Sequence, residues 1–288
     1  MRPIDFIYRF DPERQERKPL PENGAAARRL LEEGNRLFVR WIESCKLDSG
    51  PPEQHRYIVH YNAEDLGLPG ASGEVVKQAP FAALLGCADA RVPAEIIFGQ
   101  PRNNLFVVRL AGNVLSDECL GSLDFAVNHL GDSIRIVVVL GHTMCGAVAA
   151  AVDTYLNPWS YLEETTTHAL RSIVDRIFIP VRKAARSLRS SGGIEVDRSL
   201  AYRDALVETA VFVNTAQTAY DLRRSLDEID RGDLQVVYGV YDLSTHRVRS
   251  LPQHRPGSDV AEICLADAPA SLEEFEALTN LMAFNSLA

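Results

Sequence analysis

A chain of 288 residues with 46% hydrophobic and 24% charged side chains has the make-up of a soluble globular protein, able to bury a full core in one large or two small domains. Its net charge of −9 disfavours nucleic acid as a partner, and no apolar run approaches the ~20 residues of a membrane span. The opening Met1-Arg2-Pro3-Ile4-Asp5 lacks the apolar core of a secretory signal, and five widely spaced cysteines point to a reducing, cytoplasmic setting where thiols stay free for metal.

Residues 1–21 are polar and proline-punctuated and read as an arm. From Glu22 to Ser44 the spacing of Ala26, Leu30, Leu31, Leu37, Phe38 and Trp41 predicts an amphipathic helix. Gly and Pro clusters make 46–78 a loop with a short strand near Tyr57–Val59. A strand–helix alternation follows: strand 81–86, a short helix from Pro93, strand 105–108, helix 118–130, strand 134–140 and helix 144–156. The strands are short apolar runs, as in parallel strands covered on both faces, and the alternation argues right-handed crossovers. Helices over 160–190 and 200–229 are separated by Ser190-Ser191-Gly192-Gly193. Strands are expected at Leu234–Leu243 and His246–Leu251, with turn chemistry over Asp242–Thr245. Ser271 with Glu274 three residues on predicts a capped helix reaching Leu287. The expected fold is α/β: a central, mostly parallel β-sheet flanked by helices, with an N-terminal helical arm and a C-terminal helical extension. The expected division is an arm over 1–21, one α/β domain over 22–251, and an extension over 252–288 packed on the domain or its partner.

Two segments carry the chemistry. Gly86-Cys87-Ala88-Asp89-Ala90-Arg91 follows one apolar strand, and Gly141-His142-Thr143-Met144-Cys145-Gly146 follows another. Both lie at strand ends, the edge where open α/β sheets bind ligands. Cys87, His142 and Cys145 offer two thiolates and an imidazole, the donors Zn2+ prefers. Three protein ligands rather than four leave a position for water, which is the arrangement of a catalytic site. Cys145 falls in the first turn of a helix, whose amides and dipole favour thiolate. Asp89, two residues past Cys87 on extended chain, can face the same side, and Arg91 can pin its carboxylate with a paired hydrogen bond. A Gly-rich phosphate loop, His-Glu-x-x-His, Gly-x-Ser-x-Gly and Cys-x-x-Cys are all missing, which removes nucleotide, protease and serine-esterase readings. Arg182, Lys183, Arg186 and Arg189 have helical spacing and read first as a solvated helix face, second as an anion-attracting one.

Between roughly Gln78 and Ala151 the chain resembles the β-class carbonic anhydrases. That family carries Cys-x-Asp-x-Arg at one strand end and His-x-x-Cys-Gly at another, with Arg-x-Ala-Asn/Gly-Asn between. Here these read Cys87 to Arg91, His142 to Gly146, and Arg109-Leu110-Ala111-Gly112-Asn113; Pro93-Ala94-Glu95 and Leu105-Phe106-Val107-Val108 also fit. The resemblance implies one Zn2+ per chain on Cys87, His142 and Cys145, beside a catalytic Asp89–Arg91 dyad. Gln78, nine residues before Cys87, matches a substrate-binding glutamine of the plant-type branch. Phe106 and Phe125 match pocket positions completed by a neighbouring subunit, which implies a homodimer or higher homo-oligomer. The implied activity is reversible hydration of CO2 to bicarbonate and a proton, by attack of zinc-bound hydroxide. Leu84 stands where another branch has the tryptophan of an inhibitory bicarbonate site, so that regulation is not expected. Ala90 replaces the usual serine of the dyad motif. Asn103-Asn104 replaces the usual Gly-Asp or Gly-Glu, with asparagine tolerating left-handed backbone. Two other readings share the site: a carbonyl sulfide or carbon disulfide hydrolase, and a non-catalytic zinc-bearing sensor or assembly protein. Cys45, Cys119 and Cys264 read as packing thiols.

Overall fold

The computed structural model describes residues 5–10, 20–47, 56–61, 76–160, 167–193, 201–226, 234–252 and 264–287. Positions 1–4 and 11–19 of the expected arm, 48–55 and 62–75 of the expected loop, and 253–263 of the expected extension fall outside them. The arm carries a strand that the polar composition concealed. β1 (Asp5–Phe10) pairs in parallel with β2 (Arg56–Tyr61), apart from the main sheet. Aromatic rings hold this ribbon in place: Phe6 lies 5.2 Å from Tyr57 and 6.1 Å from Trp41, centroid to centroid. Between the two strands runs α1 (Gly24–Leu47), its first turn tied by Asn23 Oδ1 accepting from the Ala26 amide.

The main sheet is built from β3 (Ala82–Gly86), β4 (Leu105–Arg109), β5 (Ile136–His142) and β6 (Gln235–Tyr241), all parallel, in the order β4-β3-β5-β6. Short antiparallel pieces, β7 (Val248–Arg249) and β8 (Ala266–Asp267), add to β6. The strand expected over His246–Leu251 is thus two residues long, because the turn at Asp242 accounts for the residues before it. Helices follow the predicted alternation: α2 (Ala94–Ile97), α3 (Asp117–His129), α4 (Gly146–Leu156), α5 (His168–Gly192), α6 (Tyr202–Leu226) and α7 (Leu272–Ser286). Ser271 caps α7 by accepting from the Glu274 amide, while Glu274 accepts from the Ala270 amide.

Both faces of the sheet are covered, which explains why β3 and β5 read as unbroken apolar runs. Ala83, Leu85, Val137 and Val139 point into one core with α3 to α7; Ala82, Leu84, Ile136, Val138 and Leu140 point into another with α1 and α2. Phe275 of α7 stacks on Tyr220 of α6, so the C-terminal helix shares the first core. Gly141 marks a close approach of α6: a Cβ there would run into the Thr215 side chain. No helix of the described residues is long and apolar enough to cross a membrane.

Candidate metal centre

The register of the sheet brings the two motifs together. Gly86 lies opposite Leu140, so the residue after β3, Cys87, emerges beside the end of β5, where His142 is the last strand residue. Cys145 is the N-cap of α4. The tight return between these ligands needs left-handed backbone at Met144, whose φ is 56°. Cys87, His142 and Cys145 are 4%, 1% and 2% exposed, and their ligand atoms all lie within 4.8 Å of one another.

Hydrogen bonds orient two of the three candidate ligands, His142 and Cys87. His142 Nδ1–H donates to Thr143 O at 2.9 Å, leaving Nε2 with a bare lone pair. That nitrogen is buried and has no hydrogen-bond partner among the described residues. Thr143 is itself fixed from β6, its amide donating to Tyr241 O at 3.0 Å and its hydroxyl accepting from the Leu243 amide at 3.0 Å. On the other ligand, Gly112 N–H donates to Cys87 Sγ at 3.3 Å, and Gly112 O accepts from Asn214 of α6 at 2.8 Å. An orphaned imidazole nitrogen facing two buried sulfurs is a donor set that fits Zn2+.

The two thiols share a proton unequally. A hydrogen bond from Cys145 holds the Cys87 thiol well below its ordinary value, against the opposing effect of burial. That same bond, burial and the adjacent charge push Cys145 up, although the Ala147 and Val148 amides at the start of α4 pull the other way. The helix amides favour thiolate at Cys145, as its position suggests, and the sulfur–sulfur contact opposes them.

Asp89 and Arg91 form the expected pair. Arg91 Nε donates to Asp89 Oδ1 at 2.9 Å and Nη2 to Oδ2 at 2.7 Å, while the Arg91 amide adds a third bond to Oδ1 at 2.9 Å. These bonds, the side-chain ones foremost, hold the Asp89 carboxyl far below the usual carboxylate range. Oδ2 is 3.8 Å from His142 Nε2, so a tethered carboxylate borders the ligand set. Ala90 is exposed, and the pair closes without a hydroxyl there.

Arg109 is the residue that sequence reasoning passed over. From the end of β4 it donates to Cys87 O at 2.9 Å and to Asp89 O, stapling the loop that carries both side chains. Its place in the Arg-x-Ala-Gly-Asn stretch was the available signal. Gln78 is exposed on the segment leading into β3, whose neighbours Lys77 and Ala79 are tied by Asn103, a residue at φ 71° as its turn demands. Phe106 is half-buried against the core that contains Cys87 and Cys145. Phe125 is 48% exposed on α3 and stacks on His129 at 4.7 Å.

Comparison with known proteins adds to this geometry. A family model described as carbonic anhydrase matches residues 82–248. Carbonic anhydrase 2 of Mycobacterium tuberculosis is 36% identical over 155 residues, covering 53% of this chain and 65% of that protein. A carbonic anhydrase of Pseudomonas aeruginosa is 29% identical over 202 residues, covering 67% of this chain and 81% of the relative. Among solved structures, a β-carbonic anhydrase of Aspergillus fumigatus aligns over 72% of this chain and 85% of its own, at 26% identity and a TM-score of 0.46. The chain thus spans a little under two thirds of the mycobacterial relative's length. More than half of this chain falls within the matched family model, and that stretch holds Cys87, Asp89, Arg91, His142 and Cys145: the chain belongs to the β-class carbonic anhydrase family.

Proposed function

We propose that this protein catalyses the reversible hydration of CO2 to bicarbonate and a proton, with one Zn2+ held by Cys87, His142 and Cys145. The observation that carries this reading is the bare, buried His142 Nε2 set against two sulfurs and bordered by a carboxylate tied down by Arg91. Zn2+ at such a site supplies the Lewis acidity that makes water nucleophilic near neutral pH. The chain's own residues then have separate tasks. His142 is held in one tautomer by Thr143 O, so Nε2 is the atom that would hold the ion. Arg91 occupies both oxygens of Asp89, which keeps that carboxylate in place as a hydrogen-bond acceptor for the attacking water rather than as another ligand. Arg109 fixes the backbone carrying Cys87 and Asp89 and so sets the distance between ligand and acceptor.

Gln78, Phe106 and Phe125 are read as substrate-pocket residues, with Gln78 and Phe125 exposed in the single chain and available to a neighbouring copy. The proposed assembly is accordingly a homodimer or larger. Cys45, Cys87, Cys119 and Cys145 are free thiols, which supports a cytoplasmic location. A non-catalytic metal site has no use for a three-bonded Asp89–Arg91 pair, so the enzyme reading is the better supported.

Stopped-flow CO2 hydration on purified, metal-analysed protein tests this. One zinc per chain and hydration activity are expected, and Cys145→Ser should lose both together. Full zinc occupancy with no hydration at alkaline pH would overturn the catalytic reading. Sulfide release from carbonyl sulfide faster than CO2 hydration would reassign the substrate.

A further inference from the structure

A cavity lies between α4 and α5, of about 420 Å³, lined by Tyr155, Ile179, Arg182, Lys183, Arg186 and Arg189. It is remote from the metal centre along α4: Tyr155 is nine residues past Gly146, about 14 Å of helix. Its volume falls in the range of small-molecule sites.

The charge pattern of this wall is unusual for the chain. From Arg176 to Gly193 there are five cationic side chains and no carboxylate, in a protein of net charge −9. Arg182, Arg186 and Arg189 stand at i, i+4 and i+7, with Ile179 one turn earlier on the same stripe. Exposed arginines elsewhere find acids: Arg36 and Arg40 pair with Glu33, Arg203 with Asp153, and Arg247 with Glu43. Arg182 and Arg186 form no ion pair among the described residues. A helix C-terminus favours cations in its last turn, which accounts for Arg189 but not for Arg182 and Arg186, which precede that turn. Lys183 is committed differently, its Nζ 4.3 Å from the Phe275 ring, with Asp221 and Glu276 as its charged neighbours. Apolar groups complete the lining: Ile179, one turn before Arg182, is 54% exposed, and Tyr155 of α4 stands edge-on to Phe178.

We propose that this cavity binds a soluble organic phosphate, its phosphate groups on Arg182 and Arg186 and its ring against Ile179 and Tyr155. Guanidinium forks match phosphate oxygens in pairs and need no Gly-rich loop to do so, and an exposed isoleucine beside them gives a ring an apolar seat. The site is separate from the metal centre and does not depend on the hydration reading.

Calorimetric titration of the full-length, zinc-loaded protein at low salt, with ADP and with inorganic pyrophosphate as the two probes, tests this. One ADP per chain is expected, bound more tightly than pyrophosphate because only ADP carries a ring. The double variant R182A/R186A should weaken ADP binding at least about tenfold. The control R36A/R40A, which removes two exposed arginines elsewhere, should leave it unchanged, with circular dichroism showing both variants folded. Absence of saturable binding up to millimolar ADP, equal weakening by the two double variants, or pyrophosphate binding as tightly as ADP would each overturn the proposal.

Discussion

Arg91 holds Asp89 by three hydrogen bonds but lies outside the ligand set, so its removal separates positioning from metal retention. Arg91→Ala should lower kcat/KM for CO2 hydration by about 10- to 100-fold, the usual cost of losing an outer-shell partner, with zinc content unchanged by elemental analysis. Arg91→Lys should recover only part of the loss, since an ammonium cannot occupy both carboxylate oxygens in one plane. The unequal thiols make a second prediction. Cys87 is held low by its hydrogen bond from Cys145, and Cys145 is pushed up, so metal-free protein at neutral pH keeps one of the two thiol protons. Zn2+ binding should therefore release about one proton, and affinity should rise about tenfold per pH unit. Titration calorimetry in buffers of different ionisation enthalpy measures this directly; release of two protons would show both thiols protonated beforehand. The Cys87–His142–Cys145 cluster was legible, because Cys, His and Cys at strand ends are recognisable by type and spacing. The bond that orients His142 was not, since its acceptor is the backbone carbonyl of Thr143, which any residue would provide.

Elements place these groups through a few tight contacts. Gly112 has φ 66°, and a Cβ there would stand 2.6 Å from Ile177 Cδ1 of α5. Gly112→Ala should destabilise the fold by about 1–3 kcal/mol in urea titration, and weaken zinc retention too, because the displaced amide bonds Cys87 Sγ. The turn after β6 depends on a buried ion pair: Asp242 and Arg249 are 4% and 7% exposed and meet at 2.5 Å. Burial works against ionised Asp242, yet the Ser244 hydroxyl and amide, Arg249 and the Thr245 amide together hold its carboxyl below the ordinary range. Its contribution to stability is complete above the unfolded value of about 4 and is lost as pH falls through the lower folded value. Asp242→Asn should cost about 3–5 kcal/mol at neutral pH, because Arg249 is left buried without its carboxylate, and should flatten the acid limb of the stability profile. Thermal melts from pH 7 to pH 3 measure both effects. The strands β3 and β5 were legible because burial on two faces writes an unbroken apolar run into the sequence. β1 and β8 were not. β1 depends on rings of Trp41 and Tyr57 far along the chain, and β8 is two residues held by β6.

A single chain leaves its surface unfinished in one region. β4 ends the sheet, so the outer edge of Leu105-Phe106-Val107-Val108, all half-exposed, has no strand beside it among the described residues. An apolar, unpaired edge is an association site unless something covers it. On α3, which packs against β4, Phe125 is 48% exposed, and Gln78 is exposed on the segment entering β3. A second copy of the chain laid against this region would cover the edge and bury Phe125. Sedimentation at micromolar concentration should therefore show a dimer or a multiple of it. Phe125→Glu places a charge where the apolar contact is expected and should weaken association at least about tenfold while leaving the monomer folded, because the side chain contributes little to the core of its own chain. If pocket residues come from the neighbour, hydration activity per chain should fall on dilution of this variant in step with dissociation, with zinc content constant. A Phe125→Glu monomer that retains full hydration activity would show that one chain completes its own pocket, and Gln78 and Phe125 would then lose their assigned roles.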